Sequence, residues 1–369
     1  MLIGILYFVF LGKVILRNRK NSVFRREDVP VRHSFSIIIP FRNEARHLRA
    51  LITHINRLNY PVDRFEVIFV DDFSNDGSVE IISEAEKKFK FTLVQSEPAD
   101  VPGKKNALLR GIATAQFDRI ITWDADIRTG PDYLRIFNDF LTRNPGNKLL
   151  AAPVIIEKTV SVVERVQQLE FLALQALTEY GFSVNKPFLS NGANLSFDKK
   201  AFYEAGAYEG NMHFAGGDDI FLVEKFKATF PGNCAYLKNK DAIVETRAMP
   251  GLKEMVNQRL RWGKKTLGTQ WNRGKLFFLL QSLSYAEALI LLVCLWGHPG
   301  VWVLFFLWSV FIVSGHYYLL KQTAGHYGTR FGLMDFSAAQ ILLPAIYFIV
   351  AIKVLTGAKI TWKDRQYAR

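Results

Sequence analysis

Apolar and polar residues follow one another in two different rhythms along this chain. In the first, a short apolar run is followed by a stretch in which apolar side chains recur every three or four positions. Phe35 to Ile39 is such a run, and in the next stretch, Asn43 to Leu58, the residues Ala45, Leu48, Leu51, Ile52, Ile55 and Leu58 share a helical face. The pattern returns with Phe65 to Val70 and a helix from Ser78, with Phe91 to Val94 and a helix from Lys104, and with Arg119 to Trp123 and a helix from Pro131. Strands alternating with amphipathic helices predict a parallel sheet covered by helices. Residues 161 to 180 form a further long amphipathic helix, expected to face the core, with a membrane face as the alternative.

The second rhythm is unbroken apolarity. Residues 2 to 16 are apolar except for Lys13, and residues 276 to 296, 301 to 320 and 336 to 356 approach or reach the roughly 20 residues of a spanning helix. Gly297, His298, Pro299 and Gly300 predict a tight hairpin between the first two C-terminal runs. The formal net charge is +13, and much of it flanks these runs. Arg17, Arg19, Lys20, Arg25 and Arg26 follow the first run, while Lys253, Arg259, Arg261, Lys264, Lys265, Arg273 and Lys275 precede the second. Cations placed this way belong to loops held on the cytosolic side, and they argue against a nucleic acid partner. Because its cations come after the apolar run, the first segment reads as an anchor and not as a cleaved leader. Three C-terminal crossings would carry Lys359, Lys363, Arg365 and Arg369 to the far side, against the positive-inside tendency. One run is therefore expected to lie in the interface, and Gln281 and Glu287 make the first of the three the candidate.

Chemistry in an open parallel sheet is expected just beyond the carboxyl ends of the strands. Those positions hold Pro40, Phe41, Arg42, Asn43 and Glu44 after the first strand, Asp71 and Asp72 after the second, and Asp124, Ala125 and Asp126 after the fourth. Asp124 and Asp126 offer hard oxygen ligands for Mg²⁺ or Mn²⁺, leaving other positions on the ion for phosphate oxygens. Alone, such a pair is equally a polar strand end that closes a turn. The two cysteines, Cys234 and Cys294, form no disulfide framework or zinc motif, and the seven histidines lack metal-ligand spacing.

The strings "SIIIPFRNE", "VDDFSNDGS", "GKKNAL", "WDAD", "GGDD" and "QRLRW" occur in the order and approximate spacing of family 2 glycosyltransferases. Over residues 33 to 265 the chain resembles the membrane-bound branch of that family, which includes polysaccharide synthases and lipid (ceramide-type) glycosyltransferases. The resemblance implies an α/β GT-A fold with a Rossmann-like, mostly parallel sheet. It implies that Pro40, Asn43, Glu44, Asp72, Lys104 and Asp124 bind the nucleotide-sugar, that Asp124 and Asp126 hold a divalent metal, Mg²⁺ or Mn²⁺, and that Asn191 and Gly192 line the acceptor pocket. It also implies a catalytic group of Asp219 as general base with Asp218, Gln258, Arg261 and Trp262. Two positions depart from the family pattern: Lys105 stands where a small residue is usual and reads as solvated, and Asp218 replaces the usual Glu. Each residue also has a plainer role open to it. Pro40 can end a strand, Asn43 or Asp218 can cap a helix, Asn191 and Gly192 can form a turn, and a basic helix with a Trp can be an interfacial anchor.

The organisation expected is a membrane anchor at residues 1–16, a catalytic domain at 33–250, an amphipathic interfacial segment at 251–275, about three membrane helices within 276–356, and a basic tail at 357–369. The expected function is an inverting transfer of a hexose or N-acetylhexosamine from a nucleotide-diphospho-sugar, UDP by the resemblance, to a lipid or membrane-embedded glycan acceptor. The setting would be the cell membrane, multi-pass, with the catalytic domain in the cytoplasm. A processive polysaccharide synthase and a non-catalytic nucleotide-sugar-binding subunit are the alternatives, the first disfavoured by the small number of helices and the second by the intact motifs.

Overall fold

The computed structural model describes residues 2–367 apart from residues 97–102, 158, 207, 213, 215, 295, 363 and 364; Lys363 and Arg369 of the basic tail lie outside the described residues. Helix α1 (Leu2–Lys20) runs past the apolar stretch, so that Arg17, Arg19 and Lys20 occupy its last turn, where cations favour the helix dipole. The strand–helix alternation then appears as β1 (Phe35–Phe41), α2 (Ala45–Ile55), β2 (Phe65–Asp71), α3 (Ser78–Glu84), β3 (Lys90–Gln95), α4 (Lys104–Thr114) and β4 (Arg119–Thr122). The next elements are β5 (Arg128–Thr129), α5 (Tyr133–Arg143), β6 (Leu149–Ala151), β7 (Val154–Ile156), α6 (Val162–Ser183), β8 (Leu195–Asp198), α7 (Lys199–Glu204), α8 (Ile220–Thr229), β9 (Cys234–Tyr236) and β10 (Val244–Thr246). The chain closes with α9 (Leu252–Leu267), α10 (Arg273–Cys294), α11 (Pro299–Tyr327), α12 (Leu333–Leu355) and a hairpin of β11 (Ile360–Trp362) and β12 (Arg365–Tyr367).

Seven strands form one sheet in the order β3-β2-β1-β4-β8-β6-β9. The first four in that order are mutually parallel, whereas β8 runs antiparallel to both β4 and β6. Every residue of β1 is buried, as expected of a central strand with helices on both faces. Its alternate side chains feed two cores: Phe35, Ile37 and Ile39 pack with Leu48, Val67 and Ile121, and Ile38 packs with Ile68, Leu108 and Ile112. Phe35 is level with Phe65 on one side and Arg119 on the other, so β1, β2 and β4 end along one edge and deliver their acidic termini together. A smaller sheet, β5-β10-β7, adjoins that edge.

Helix α6 starts at a full capping box between Ser161 and Glu164. It faces the core, as expected, but what covers it is unusual. Strands β7 and β9 lie on one side, and α1, α11 and α12 pack on the rest. Helix α12 rests along both α6 and α9, burying Phe336, Ala339, Ile346 and Val350 against Val166, Leu169, Leu172 and Met255. A bundle is made by α1, α10 and α11 around Tyr7, Leu11, Phe277, Ile312 and Leu319, seated on Ala176, Leu177 and Tyr180 of α6. Here Glu287 accepts from the Gly4 backbone N–H at 3.1 Å, and Tyr7 Oη lies 2.7 Å from His316 Nε2, whose Nδ1 is 2.9 Å from Gln340 Oε1. The helix of Gln281 and Glu287 thus packs in a bundle with α1 and α11, while α1, α11 and α12 all lie against α6 of the globular domain. Helices α10, α11 and α12 are each long and apolar enough to cross a membrane, and Leu289, Ile290, Val293, Val303, Phe306 and Phe311 of the α10–α11 hairpin are exposed.

Candidate active site

The site is built where β1, β2 and β4 end. Beyond β1 the chain turns through Asn43, whose φ of 52° lies in the left-handed region that Asn tolerates better than most residues. Asn43 is therefore a loop residue and not the helix cap; Glu44 holds the N-cap position of α2. This loop is zipped to the one after β2. Ser74 Oγ accepts from Asn43 N–H at 3.0 Å, Asn43 Oδ1 accepts from Asn75 N–H at 3.0 Å, and Ser78 Oγ accepts from Glu44 N–H at 2.9 Å. Arg42 donates to the carbonyls of Asp72 and Phe73 at 2.6 and 2.7 Å. Pro40 is an internal residue of β1, paired with Val70, and Asp72 is buried at the end of β2, its N–H bonded to the Phe41 carbonyl at 2.8 Å.

Trp123 and Ala125 are buried, which turns the alternating Asp124 and Asp126 toward the open edge. Trp123 Nε1 donates to Tyr133 Oη at 3.2 Å, and Tyr133 donates to Asn194 Oδ1 at 2.7 Å, pinning this segment from below. Asp124 accepts from Lys104 Nζ at 2.6 Å, and the same ammonium reaches Asp218 at 3.0 Å. Burial opposes the charge on Lys104, but the two carboxylates outweigh it and raise its pKa above the usual lysine range. Asp218 is likewise opposed by burial and held below the usual carboxylate range by Lys104 and Lys265. Asp126 has the opposite fate. Burial, then the carboxylates of Asp124 and Glu44, push it up to about 6. Glu44 is itself bonded to His47 Nδ1 at 2.6 Å.

Gly192 explains how these charges meet. A Cβ there would lie 2.5 Å from Asp218 Oδ2 and 3.4 Å from Lys104 Nζ, so only glycine leaves room for the pair. Its carbonyl accepts from Thr122 Oγ1 at 2.8 Å, tying it to the end of β4, while Asn191 Oδ1 accepts from Ala193 N–H at 3.0 Å and closes a local turn. Gly192→Ala is expected to cost about 1–3 kcal/mol. A melting temperature equal to that of the unchanged protein would contradict the contact with Asp218.

Asp219, and not Asp218, is the N-cap of α8: its Oδ1 accepts from Ile220 N–H at 2.7 Å. Lys265 of α9 donates to both of its carboxylate oxygens, at 3.0 and 3.2 Å. Lys105, expected in solvent, is buried under the same loop, donating to the Asn211 and Phe214 carbonyls at 2.6 and 3.3 Å and lying 4.9 Å from the Phe221 ring centre. Burial pulls it down to about 8, against the pull of Asp218 and Asp219.

On α9, Trp262 packs on the main core and 5.9 Å from the Phe171 ring, and Arg261 is half-buried. Gln258 bonds to Arg259, whose guanidinium lies over the Trp262 ring at 4.3 Å and is paired with Glu170. Lys265 and Arg259 are contributors that motif reading missed. Lys265 lies three residues after Trp262 and four after Arg261, a spacing that places it on their face, but its charge also fits a membrane flank. Among the described residues no three carboxylate, imidazole or thiolate groups converge on one point. The crowding of Asp126 by Asp124 and Glu44 nevertheless fits a cation held by two carboxylates with its remaining positions left to phosphate oxygens.

Residues 36–202 match the family model described as Glycosyl transferase family 2. A "Probable glycosyltransferase YdaM" of Bacillus subtilis (strain 168) is 32% identical over 292 residues, covering 76% of this chain and 65% of the relative. A "Poly-beta-1,6-N-acetyl-D-glucosamine synthase" of Staphylococcus epidermidis is 22% identical over 212 residues, 57% of this chain and 50% of the synthase. The chain therefore spans under two thirds of the length of either relative. Among solved structures, the "Mannosyltransferase PcManGT from Pyrobaculum calidifontis in complex with GDP-Man and Mn2+" aligns with a TM-score of 0.58 at 18% identity, over 96% of this chain and 98% of that one. The chain thus shares the GT-A architecture of that mannosyltransferase, and the strands that carry the site lie within residues 36–202, which match the glycosyl transferase family 2 model.

Proposed function

We propose that the chain is a membrane-bound inverting glycosyltransferase that moves a hexose or N-acetylhexosamine from a nucleotide-diphospho-sugar, UDP in our reading, to a hydroxyl of a lipid or other membrane-embedded acceptor. The observation that carries this is the convergence of Lys104, Asp124 and Asp218 at one point, with Asp219 and Lys265 beside it, at the carboxyl edge of the parallel strands. Pro40, Asn43, Glu44 and Asp72 border the space for the nucleotide. Asp124 and Asp126 would hold Mg²⁺ or Mn²⁺, which supplies neutralisation of diphosphate charge when bound. Asp219 takes the proton of the acceptor hydroxyl as its oxygen attacks the anomeric carbon opposite the diphosphate; the sugar–diphosphate bond breaks, and the configuration inverts. Lys265 occupies both oxygens of Asp219, so the acceptor hydroxyl must displace it from at least one. Asn191 and Gly192 border the acceptor side, while Gln258, Arg261 and Trp262 close the site from α9.

The packing supports a membrane placement. The bundle of α1, α10 and α11 presents bare apolar surface, and α12, packed along one side on α6 and α9, exposes Ile341, Phe348 and Leu355 on the other. In our reading α10 and α11 cross and return, α12 lies in the interface, and Lys359 and Arg365 stay on the side of the catalytic domain, in the cytoplasm. The small helix count favours single addition. The synthase relative keeps a processive reading open as the second possibility.

The test is the full chain in detergent, supplied with Mn²⁺, a panel of nucleotide sugars and extracted membrane lipids, with nucleotide release and product mass recorded. A lipid gaining one sugar supports the proposal; a ladder of sugars moves the chain to the processive reading, and failure to bind any nucleotide sugar sinks both. Mn²⁺ affinity supplies a check that needs no turnover. Because Asp126 is raised to about 6, affinity measured by calorimetry is expected to be nearly constant above pH 7 and to fall roughly tenfold per unit below about pH 6. Asp126→Asn should remove that slope and weaken binding throughout.

A further inference from the structure

A second site lies at the turn between α11 and α12. A cavity of about 450 Å³ is lined by Lys321, Ala324, Gly325, Thr329, Arg330 and Phe331. Gly328, with a φ of 74°, ends α11 in the left-handed conformation and also lines the cavity. Lys240, from the loop between β9 and β10, puts its ammonium 3.9 Å from where a Gly328 Cβ would sit. Three cations thus gather round one cavity from two parts of the chain. Among the described residues none of them has a carboxylate within ion-pair distance, although the neighbouring Lys238 is fully matched by Glu179 at 2.8 Å. An anion seated among them can take charge-assisted contacts from both parts of the chain.

The location narrows the anion. Lys321 directly follows the apolar run that ends at Leu320, so the cavity opens at the level where a crossing α11 would leave the hydrocarbon. Tyr327 of the same turn is bonded to Tyr236 of β9 at 2.8 Å, which keeps the cavity on the catalytic side. It is separate from the reaction centre. Gly263, beside Lys265 on α9, lies against Val350 and Val354, and Leu333 at the start of α12 is about 25 Å from Val350 along the helix.

We propose that this cavity binds the phosphate of an anionic membrane lipid, with Lys321, Arg330 and Lys240 contacting the phosphate oxygens and Phe331 and Ala324 the first carbons of the glycerol. Arg330 supplies the forked donor set suited to a phosphate, and the lysines add charge. The site is independent of the transfer reaction, since none of its residues belongs to that centre.

The test uses the full chain in detergent. Phosphatidylglycerol, phosphatidylcholine and inorganic phosphate are titrated separately, and bound species are read by native mass spectrometry. Phosphatidylglycerol is expected to bind at least tenfold more tightly than phosphatidylcholine, and the double variant Lys321→Gln with Arg330→Gln to lose at least tenfold. Equal retention of the two lipids, or no change in the double variant, overturns the proposal. Inorganic phosphate binding more tightly than phosphatidylglycerol would assign the cavity to a soluble phosphate and overturn the lipid assignment. If the double variant does not fold, Lys240→Gln, exposed and on another loop, carries the same expectation with a smaller loss, and an unchanged affinity there also overturns the proposal.

Discussion

Asp219→Asn is expected to lower turnover by about 10²- to 10⁴-fold while the protein still folds and binds nucleotide sugar. Asparagine keeps an oxygen able to accept from the Ile220 N–H, so the cap on α8 survives. It loses the capacity to take a proton and the ion pair with Lys265. Initial rates with saturating donor, set beside nucleotide binding by calorimetry, separate the two effects. A variant retaining a tenth or more of the activity would remove Asp219 as the base and direct attention to Asp218, its neighbour on the other ammonium. Lys265→Met is the companion variant: if Lys265 only competes with the acceptor, it should alter the acceptor KM more than kcat.

The second large effect is one of stability. Arg259 and Glu170 are both almost fully buried, and Glu170 also accepts from Tyr347 of α12. Arg259→Met leaves that carboxylate without its cation at the junction of α6, α9 and α12, which costs about 3–5 kcal/mol. Replacing both partners, Arg259→Met with Glu170→Leu, should recover most of the loss, because neither residue then needs solvation or a partner. Thermal unfolding in detergent decides this. A double variant no more stable than Arg259→Met alone would mean that the pair does more than satisfy its own burial, for instance through the cation over Trp262.

The first half of the catalytic sheet was readable from periodicity because β1, β2 and β4 are central, buried on both faces, and so appear as unbroken apolar runs. Strands β6, β7, β9 and β10 are three residues each, too short for any period to register, and the reversal of β8 depends on the long α6 that precedes it. In the site, the acidic strand ends could be located from topology alone. The pairings could not. Lys104 meets Asp218, and Lys265 meets Asp219, through contacts between residues remote in the chain, and Gly192 reads as an ordinary turn residue until the neighbouring charges are placed. Lys105 was misjudged for a related reason: adjacent residues on a helix point in different directions, and only the loop above shows which one is covered. Hydropathy likewise could not show that α12 packs along α6 and α9 while α10 packs on α1, since both helices are equally apolar.

Helix α6 carries a consequence for anyone who would trim the protein. Its outer face, which in a detachable catalytic domain would be polar, is walled by α1, α11 and α12. Cutting the chain after α9 would strip Leu169 and Leu172 of the cover that α11 and α12 provide and leave Glu170 without Tyr347. The product would be a half-built interior with a greasy wall, prone to clump, and no cleaner for lacking its apolar helices. The apolar helices double as the domain's missing flank, so the two parts have to be made, purified and studied as one body.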